Sequence, residues 1–201
     1  MIKNKKPGKF ILVEGLDGSG KTTAVRRIAD ELGLVYLKGL GRNDFFGKIV
    51  KRYAKTFLFL LEVLVITYFP LRRILQSGRN ALVDKYFFAA ASHIPDVETH
   101  LNRLLIRLSE KFILRPDLVV YFSVSPEDRI RRLKNGPYNK FHEMLINDPV
   151  WMVEREKAYA DIIRSLGLNP IVLDTTNLTR SETAETLRKI ITDFLGKENA
   201  K

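Results

Sequence analysis

Residues 10–23 read FILVEGLDGSGKTT, in which an apolar run leads directly into the pattern G-x-x-x-x-G-K-T. Between a predicted strand and a predicted helix, this pattern is typical of a loop that binds nucleotide phosphates. Gly15, Gly18 and Gly20 allow the backbone to curl, so that successive N–H groups point at phosphate oxygens. The start of the following helix adds the positive end of its dipole. We therefore expect the chain to bind a nucleoside triphosphate.

Two side chains of this loop have specific predicted roles. Lys21 supplies a positive charge for the outer phosphates, and the Thr22 hydroxyl is placed to ligate Mg²⁺. The alternative, a glycine-rich turn that binds nothing, is disfavoured because a strand and a helix flank the loop. The loop residues predicted to bind ATP are Gly15, Asp17, Gly18, Ser19, Gly20, Lys21, Thr22 and Thr23.

Length, composition and charge narrow the class of protein. The 201 residues, 45% hydrophobic and 28% charged, suit one globular domain over residues 1–201. The chain has no cysteine, which excludes disulfides and thiolate metal sites. We expect a cytoplasmic protein, because no signal-peptide core precedes the first strand. The net charge of +11 suits phosphorylated substrates, and since the lysines are spread along the chain we expect no nucleic-acid partner.

The longest apolar stretch, residues 57–69, reads FLFLLEVLVITYF and ends before Pro70. As a helix it spans about 20 Å, too short to cross a hydrocarbon core of about 30 Å. A helix that is apolar on nearly all sides is usually buried in a core or a subunit interface. We expect this helix to contact both the core and a second subunit, and hence we expect a homodimer. Because basic residues flank the stretch, contact with a membrane surface is the alternative.

The rest of the chain alternates short apolar runs with helical patterns. This alternation predicts a three-layer α/β fold with a five-stranded parallel sheet between helices. In such sheets ligands bind at the carboxyl ends of the strands, here Glu14, Asp84, Ser123 and Asp174. Ser125 and Pro126 have the residue types of a helix N-terminus. The predicted strands are 10–14, 34–37, 81–84, 118–123 and 171–174, and the main predicted helices are 21–32, 71–76, 149–166 and 181–195.

Asp84 and Lys85 directly follow the third predicted strand. A carboxylate at this edge would face the phosphate-binding loop and hold Mg²⁺ or its waters, and Lys85 would then point toward a substrate phosphate. The alternative is an Asp that caps the next helix beside a solvated Lys.

A basic cluster lies on the short helix that follows Ser125 and consists of Arg129, Arg131, Arg132 and Lys134. Of these, Arg131 and Arg132 are the candidate catalytic residues. Mobile arginines suit phosphoryl transfer, because they stabilise the charge of the transferred group as a lid closes. We predict such a lid at about residues 131–142. The alternative is a solvated helix face, the usual role of a charge run. The histidines, including His142, have no metal-ligand spacing, and no role is assigned to them.

Along essentially its whole length the chain resembles the thymidylate kinases among the P-loop nucleoside monophosphate kinases. The clearest segment is VEGLDGSGKTT, at residues 13–23. Residues 41–49 resemble the stretch that places an arginine five residues before Gly-Lys. Residues 78–86 match the spacing of G-(x)5-D-R-Y, and residues 139–143 lie where the lid commonly reads D-R-F-E.

This resemblance implies the P-loop kinase fold and further site residues. Asp17 would contact the sugar 3′-hydroxyl of the accepting monophosphate, and Arg42 and Lys85 would hold its phosphate. Phe59 would stack on thymine, and Thr175 and Thr176 would lie near the ATP base.

The sequence also departs from the family pattern. Val63 stands where the family usually has an arginine that reads a thymine carbonyl, and Lys85 replaces the arginine of D-R-Y. Losing a directional contact to the base relaxes base choice. We therefore expect direct in-line transfer from Mg-ATP to a nucleoside 5′-monophosphate, with dTMP the leading acceptor. The alternatives are a kinase for dUMP, another monophosphate or a nucleoside, and a nucleotide-dependent module that binds nucleic acid or a membrane surface.

Overall fold

A computed structural model of the protein describes residues 1–39, 61, 63–87, 108, 110–136 and 140–199. The strands in these ranges are β1 (Ile2–Lys3), β2 (Phe10–Glu14), β3 (Val35–Lys38), β4 (Ala81–Asp84), β5 (Leu114–Arg115), β6 (Leu118–Ser123) and β7 (Ile171–Asp174). The helices in these ranges are α1 (Lys21–Glu31), α2 (Arg72–Gln76), α3 (Pro126–Lys134), α4 (Lys140–Asn147), α5 (Pro149–Ser165) and α6 (Arg180–Asn199).

The main sheet confirms the predicted fold class. In the described part of the chain it has five parallel strands in the order β3-β4-β2-β6-β7. The central strand β2 is buried along its whole length, as expected for a parallel strand covered on both faces. Because β2, β4, β6 and β7 are parallel, their carboxyl ends bring Glu14, Asp84, Ser123 and Asp174 to one edge.

Alternate residues of β2 pack into two separate cores. Phe10 and Leu12 belong to one cluster with Leu75 of α2, whereas Ile11 and Val13 belong to another with Leu187 of α6. This alternation is the two-residue period of a strand. The helices therefore cover both faces of the sheet in three layers.

Most element boundaries agree with the predictions, with local differences. β4, β6 and β7 have the predicted bounds, whereas β3 begins one residue later than predicted and α6 ends four residues later. The predicted cap is confirmed, since the Asp128 N–H donates to Ser125 Oγ at 3.2 Å with Pro126 in the first turn. The parallel pair β1–β5 was not predicted, because two-residue strands have no detectable periodicity.

Of the apolar stretch the structure describes residue 61 and residues 63–69, which are helical and bury one side only. Pro70 lies inside a π-helical turn, Thr67–Leu71, after which the chain continues into α2, so the proline interrupts the helix without ending it. The residues Val63, Thr67, Leu71 and Leu75 are buried, and the opposite side exposes Leu61, Val65, Tyr68 and Phe69. No helix in the described residues is long and apolar enough to cross a membrane.

Candidate phosphate-binding site

The loop between β2 and α1 is shaped to surround an anion. At Gly15 the φ angle is 144°, and a Cβ would lie 2.5 Å from the Phe122 carbonyl oxygen, so only glycine fits there. Helix α1 begins directly after Gly20 with no side-chain cap on its first N–H groups. These uncapped N–H groups and the helix dipole suit phosphate oxygens.

Lys21 lies beneath this loop and is 3% exposed. Its Nζ donates to the Leu16 carbonyl at 3.0 Å and lies 3.6 Å from Asp17 Oδ1. Burial, together with repulsion from Lys85, lowers the pKa of Lys21 to about 8 against the attraction of nearby carboxylates. A phosphate in the loop would restore the full charge of this amine.

Thr22 and Asp84 form the predicted metal-binding pair. Thr22 Oγ1 donates to Asp84 Oδ2 at 2.7 Å, and the Tyr36 hydroxyl lies 3.5 Å from the same oxygen. The other oxygen, Asp84 Oδ1, is buried without a hydrogen-bond partner. A buried carboxylate oxygen with a free lone pair beside a hydroxyl fits Mg²⁺, which prefers oxygen ligands. The described residues contain no group of three or more His, Cys, Asp or Glu side chains arranged to hold a metal ion, so phosphates and water would complete its shell.

Asp17 is the centre of a cluster of basic side chains. Lys85 Nζ donates to Asp17 Oδ1 at 2.6 Å, and His142 Nε2 lies 3.6 Å from Asp17 Oδ2. Burial alone would raise the pKa of Asp17, but His142, Lys21 and Lys85 together hold it well below its usual range. Conversely, the Asp17 charge outweighs burial and raises the pKa of Lys85. Asp17 is therefore ionised and Lys85 charged at neutral pH.

Glu14, at the end of β2, is fully buried behind this cluster. Its Oε1 accepts the Tyr86 backbone N–H at 2.7 Å, and its Oε2 is buried without a hydrogen-bond partner. Burial raises the pKa of Glu14 to about 7, although the Tyr86 N–H and the positive charges of Lys21 and Lys85 oppose the rise.

A cleft of about 1060 Å³ extends from Asp17, Lys21 and Lys85 to residues of α3, α4 and α6. This volume lies at the upper end of the usual range of about 300–1,000 Å³ for ligand pockets. Its lining residues are Asp17, Gly18, Gly20, Lys21, Thr22, Thr23, Ala24, Lys38, Asp84, Lys85, Arg131, Arg132, Leu133, Gly136, His142, Thr176, Asn177, Leu178, Thr179, Arg180 and Thr183.

The arginines of α3 differ in their surroundings. Arg129 is fully buried, where it donates to the Val124 carbonyl and pairs with Glu156. Arg132 donates to the Thr175 carbonyl at 2.6 Å and lies 3.1 Å from Thr175 Oγ1. Arg131 is 68% exposed and pairs with Asp128 at 2.7 Å. The alternative of a solvated basic face therefore describes Arg131 alone of these three.

The structure brings most of the predicted site residues together. The cleft is lined by Asp84, Lys85, Arg131, Arg132 and the loop residues Asp17, Gly18, Gly20, Lys21, Thr22 and Thr23. The predicted loop residues Gly15 and Ser19 are not among the lining residues, and the buried Thr175 contacts the loop at the Ser19 carbonyl, 3.2 Å away. The predicted substrate residues Arg42 and Phe59 lie outside the described residues.

Two residues depart from the sequence-based reasoning. His142, to which no role was assigned, reaches the cleft; its place in the lid segment N-K-F-H was the available signal. Val63, which stands where the family usually has a base-reading arginine, is fully buried in the core cluster that contains Leu71 and Tyr86.

Comparisons with known proteins show which proteins this chain is similar to. No protein-family model matches the chain. It is 28% identical to a probable thymidylate kinase of Archaeoglobus fulgidus over 199 residues, covering 92% of this chain and 96% of the relative. It is 23% identical to a thymidylate kinase of Dictyostelium discoideum, covering 86% and 83%.

Solved structures show the same fold. The thymidylate kinase of Candida albicans superposes with a TM-score of 0.73 at 17% identity, covering 94% of this chain and 93% of that one. The thymidylate kinase of Ehrlichia chaffeensis gives a TM-score of 0.67 at 15% identity, covering 92% and 98%. The relatives and the structural neighbours thus confirm the resemblance of this chain to the thymidylate kinase family, whose P-loop kinase fold it has.

Proposed function

We propose that the protein transfers the γ-phosphoryl group of ATP to a nucleoside 5′-monophosphate, with dTMP as the leading acceptor. The observation that carries this proposal is the convergence of Lys21, from the phosphate-binding loop, and Lys85, from the end of β4, on one cleft around Asp17. Two separate cations at one cleft suit two phosphorylated substrates. The names of the relatives support thymidylate as the acceptor.

The donor would lie along the loop and the start of α1. Backbone N–H groups and Lys21 would bind its phosphates, and Thr176 and Asn177, which also line the cleft, would lie beside its base. Thr22 and Asp84 would hold Mg²⁺, which neutralises charge on the β- and γ-phosphates. Thr175 would act indirectly, since its buried side chain links the loop to Arg132.

The acceptor would enter from the side of Lys85 and Asp17. In the free protein these two side chains bind each other at 2.6 Å. When the acceptor binds, its phosphate replaces Asp17 as the partner of the Lys85 amine, and its sugar hydroxyl donates a hydrogen bond to Asp17. The attacking phosphate oxygen then lies in line with the γ-phosphoryl group, and no covalent intermediate on the protein is required.

Charge that develops during transfer would be stabilised by Lys21, Lys85 and the arginines of α3. Arg132 is already held against Thr175, so it acts from a fixed position. Arg131 is largely exposed, and its ion pair in the described part of the chain is with Asp128 of the same helix, which suits a residue that moves over the transferring group. Its helix and His142 of α4 form the described part of the proposed lid.

We also propose that two copies of this single domain associate through the exposed apolar side of the segment that precedes α2. Leu61, Val65, Tyr68 and Phe69 are between 38% and 60% exposed there. Apolar side chains that recur on one side of a helix are typical of a subunit contact.

The direct test is release of ADP from Mg-ATP with a panel of acceptors: dTMP, dUMP, UMP, dCMP, CMP, AMP, GMP, dGMP and thymidine. The panel is wide because the Candida albicans relative is described as having broad substrate specificity. Turnover with dTMP of about 1–100 per second supports the proposal. If only another acceptor is turned over, the assignment of dTMP is wrong, and the protein is a kinase for that acceptor.

The control is Lys21→Ala, which should abolish turnover while the circular dichroism spectrum is retained. Turnover that persists in this variant contradicts the assignment of the loop. If ATP binds but no acceptor is phosphorylated, the protein is a binding module instead, and retention on DNA or anionic vesicles that weakens with salt would identify it.

A further inference from the structure

Lys85 has an unusual backbone conformation. Its φ angle is 67°, and among the described residues it is the one non-glycine residue with a positive φ. This left-handed conformation is disfavoured for residues with a Cβ, because the Cβ approaches the following carbonyl. Such a residue persists only where its surroundings hold it, and residues of this kind cluster at functional sites.

Three hydrogen bonds hold the peptides on both sides of Lys85. The Lys85 N–H donates to the Val13 carbonyl at 3.1 Å, and the Gly39 N–H donates to the Asp84 carbonyl at 2.9 Å. The Tyr86 N–H donates to Glu14 Oε1 at 2.7 Å. The first two bonds join backbone groups, so among these contacts only the third depends on a side chain.

The geometry points to Glu14 as the positioning residue for Lys85: its carboxyl oxygen fixes the Tyr86 peptide and thereby directs the Lys85 amine into the cleft. Glu14 is fully buried and is not one of the cleft-lining residues, so it acts through Lys85 rather than on a substrate. This inference rests on the proposed function, in which Lys85 binds the acceptor phosphate.

The contact requires an oxygen acceptor and not a charge. Only Oε1 accepts the N–H, and Oε2 has no hydrogen-bond partner. A glutamine keeps an acceptor oxygen at the same distance from the backbone, whereas a leucine of similar size leaves the buried Tyr86 N–H unpaired. An unpaired buried donor favours a different arrangement of the turn, in which the N–H finds another acceptor.

The test compares Glu14→Gln with Glu14→Leu in steady-state kinetics. Glu14→Leu should raise the KM for the acceptor about tenfold or more, the factor expected for one lost buried hydrogen bond. The KM for ATP should stay within about twofold, since loop contacts to the donor remain. Glu14→Gln should keep both values close to the parent.

The control variant is Thr67→Val, which removes the hydroxyl that contacts the Tyr86 side chain but leaves Tyr86 itself unchanged. It should lower the melting temperature without changing the KM for the acceptor. This separates loss of positioning from a general loss of stability.

Hydrogen exchange of the Tyr86 amide tests the positioning without any turnover. Exchange should be faster in Glu14→Leu than in the parent and in Glu14→Gln. If the parent phosphorylates no acceptor, the proposed function fails, and this measurement still decides whether Glu14 holds the turn. The inference is overturned if Glu14→Leu keeps its acceptor KM, if its Tyr86 amide stays protected, or if Glu14→Gln is impaired as strongly as Glu14→Leu.

Discussion

Replacing Glu14 by Gln should remove a pH-dependent loss of stability. The pKa of Glu14 rises from 4.5 to about 7 in the folded protein, chiefly because the carboxyl is fully buried. Above pH 4.5 the unfolded chain releases this proton while the folded protein retains it. The free energy of unfolding of the parent therefore falls as the pH rises, until the folded protein also releases the proton near pH 7.

The size of the effect follows from this difference in pKa. Each pKa unit is worth about 1.4 kcal/mol, so the shift from 4.5 to about 7 corresponds to about 3 kcal/mol. About 2 kcal/mol of this should be lost between pH 5 and pH 7. Since glutamine does not titrate, the variant should lack this loss. The contributions of other groups largely cancel when the parent and the variant are compared at the same pH.

The assay is urea denaturation of both proteins, without nucleotide, at half-unit steps between pH 5 and pH 7. The free energy of unfolding of Glu14→Gln, minus that of the parent, should increase by about 2 kcal/mol over this range. A difference that stays constant within about 0.5 kcal/mol would show that Glu14 titrates normally and would refute the reasoning from burial. A difference that decreases would show that the folded protein prefers the charged carboxylate.

Three further predictions concern other buried groups. Glu156→Leu should lower the free energy of unfolding by about 3 kcal/mol, because it leaves the buried Arg129 guanidinium without its carboxylate. Arg129→Met should lower it much less, since no buried charge is left unpaired. Equal losses for the two variants in urea denaturation would contradict this reasoning. The affinity for ATP should fall as the pH rises above about 8, where the Lys21 amine loses its charge, and calorimetric titration of Lys21→Met should show no such fall. Val63→Arg should destabilise the fold by at least about 3 kcal/mol, because Val63 is fully buried in the core; a variant with an unchanged melting temperature and a sharper preference for dTMP would show that the position faces the base instead.

The elements that could be predicted are those with a local signal. Buried parallel strands are short apolar runs bounded by turn residues, and β4, β6 and β7 therefore had the predicted bounds. The phosphate-binding loop is likewise a local pattern, because its glycines, lysine and threonine act at fixed spacing. Parallel strands then brought Asp84 to the loop, and the bond between Thr22 and Asp84 agrees with that reasoning.

The features that could not be predicted depend on residues far apart in the sequence. Glu14 and Tyr86 are separated by 72 positions, and Lys85 and Asp17 by 68. The sequence alone placed Arg129 and Arg131 in one basic cluster, yet the first is buried against Glu156 and the second is exposed.

The sequence by itself therefore determined a nucleotide-binding α/β fold and the edge of the sheet that carries its site, because both depend on short-range patterns of burial and turn formation. Only the tertiary structure decided which cations neutralise Asp17, which arginine is exposed, and which hydrogen bonds hold the backbone on either side of Lys85. These properties depend on distances and on burial, which exist only once separate segments have packed together.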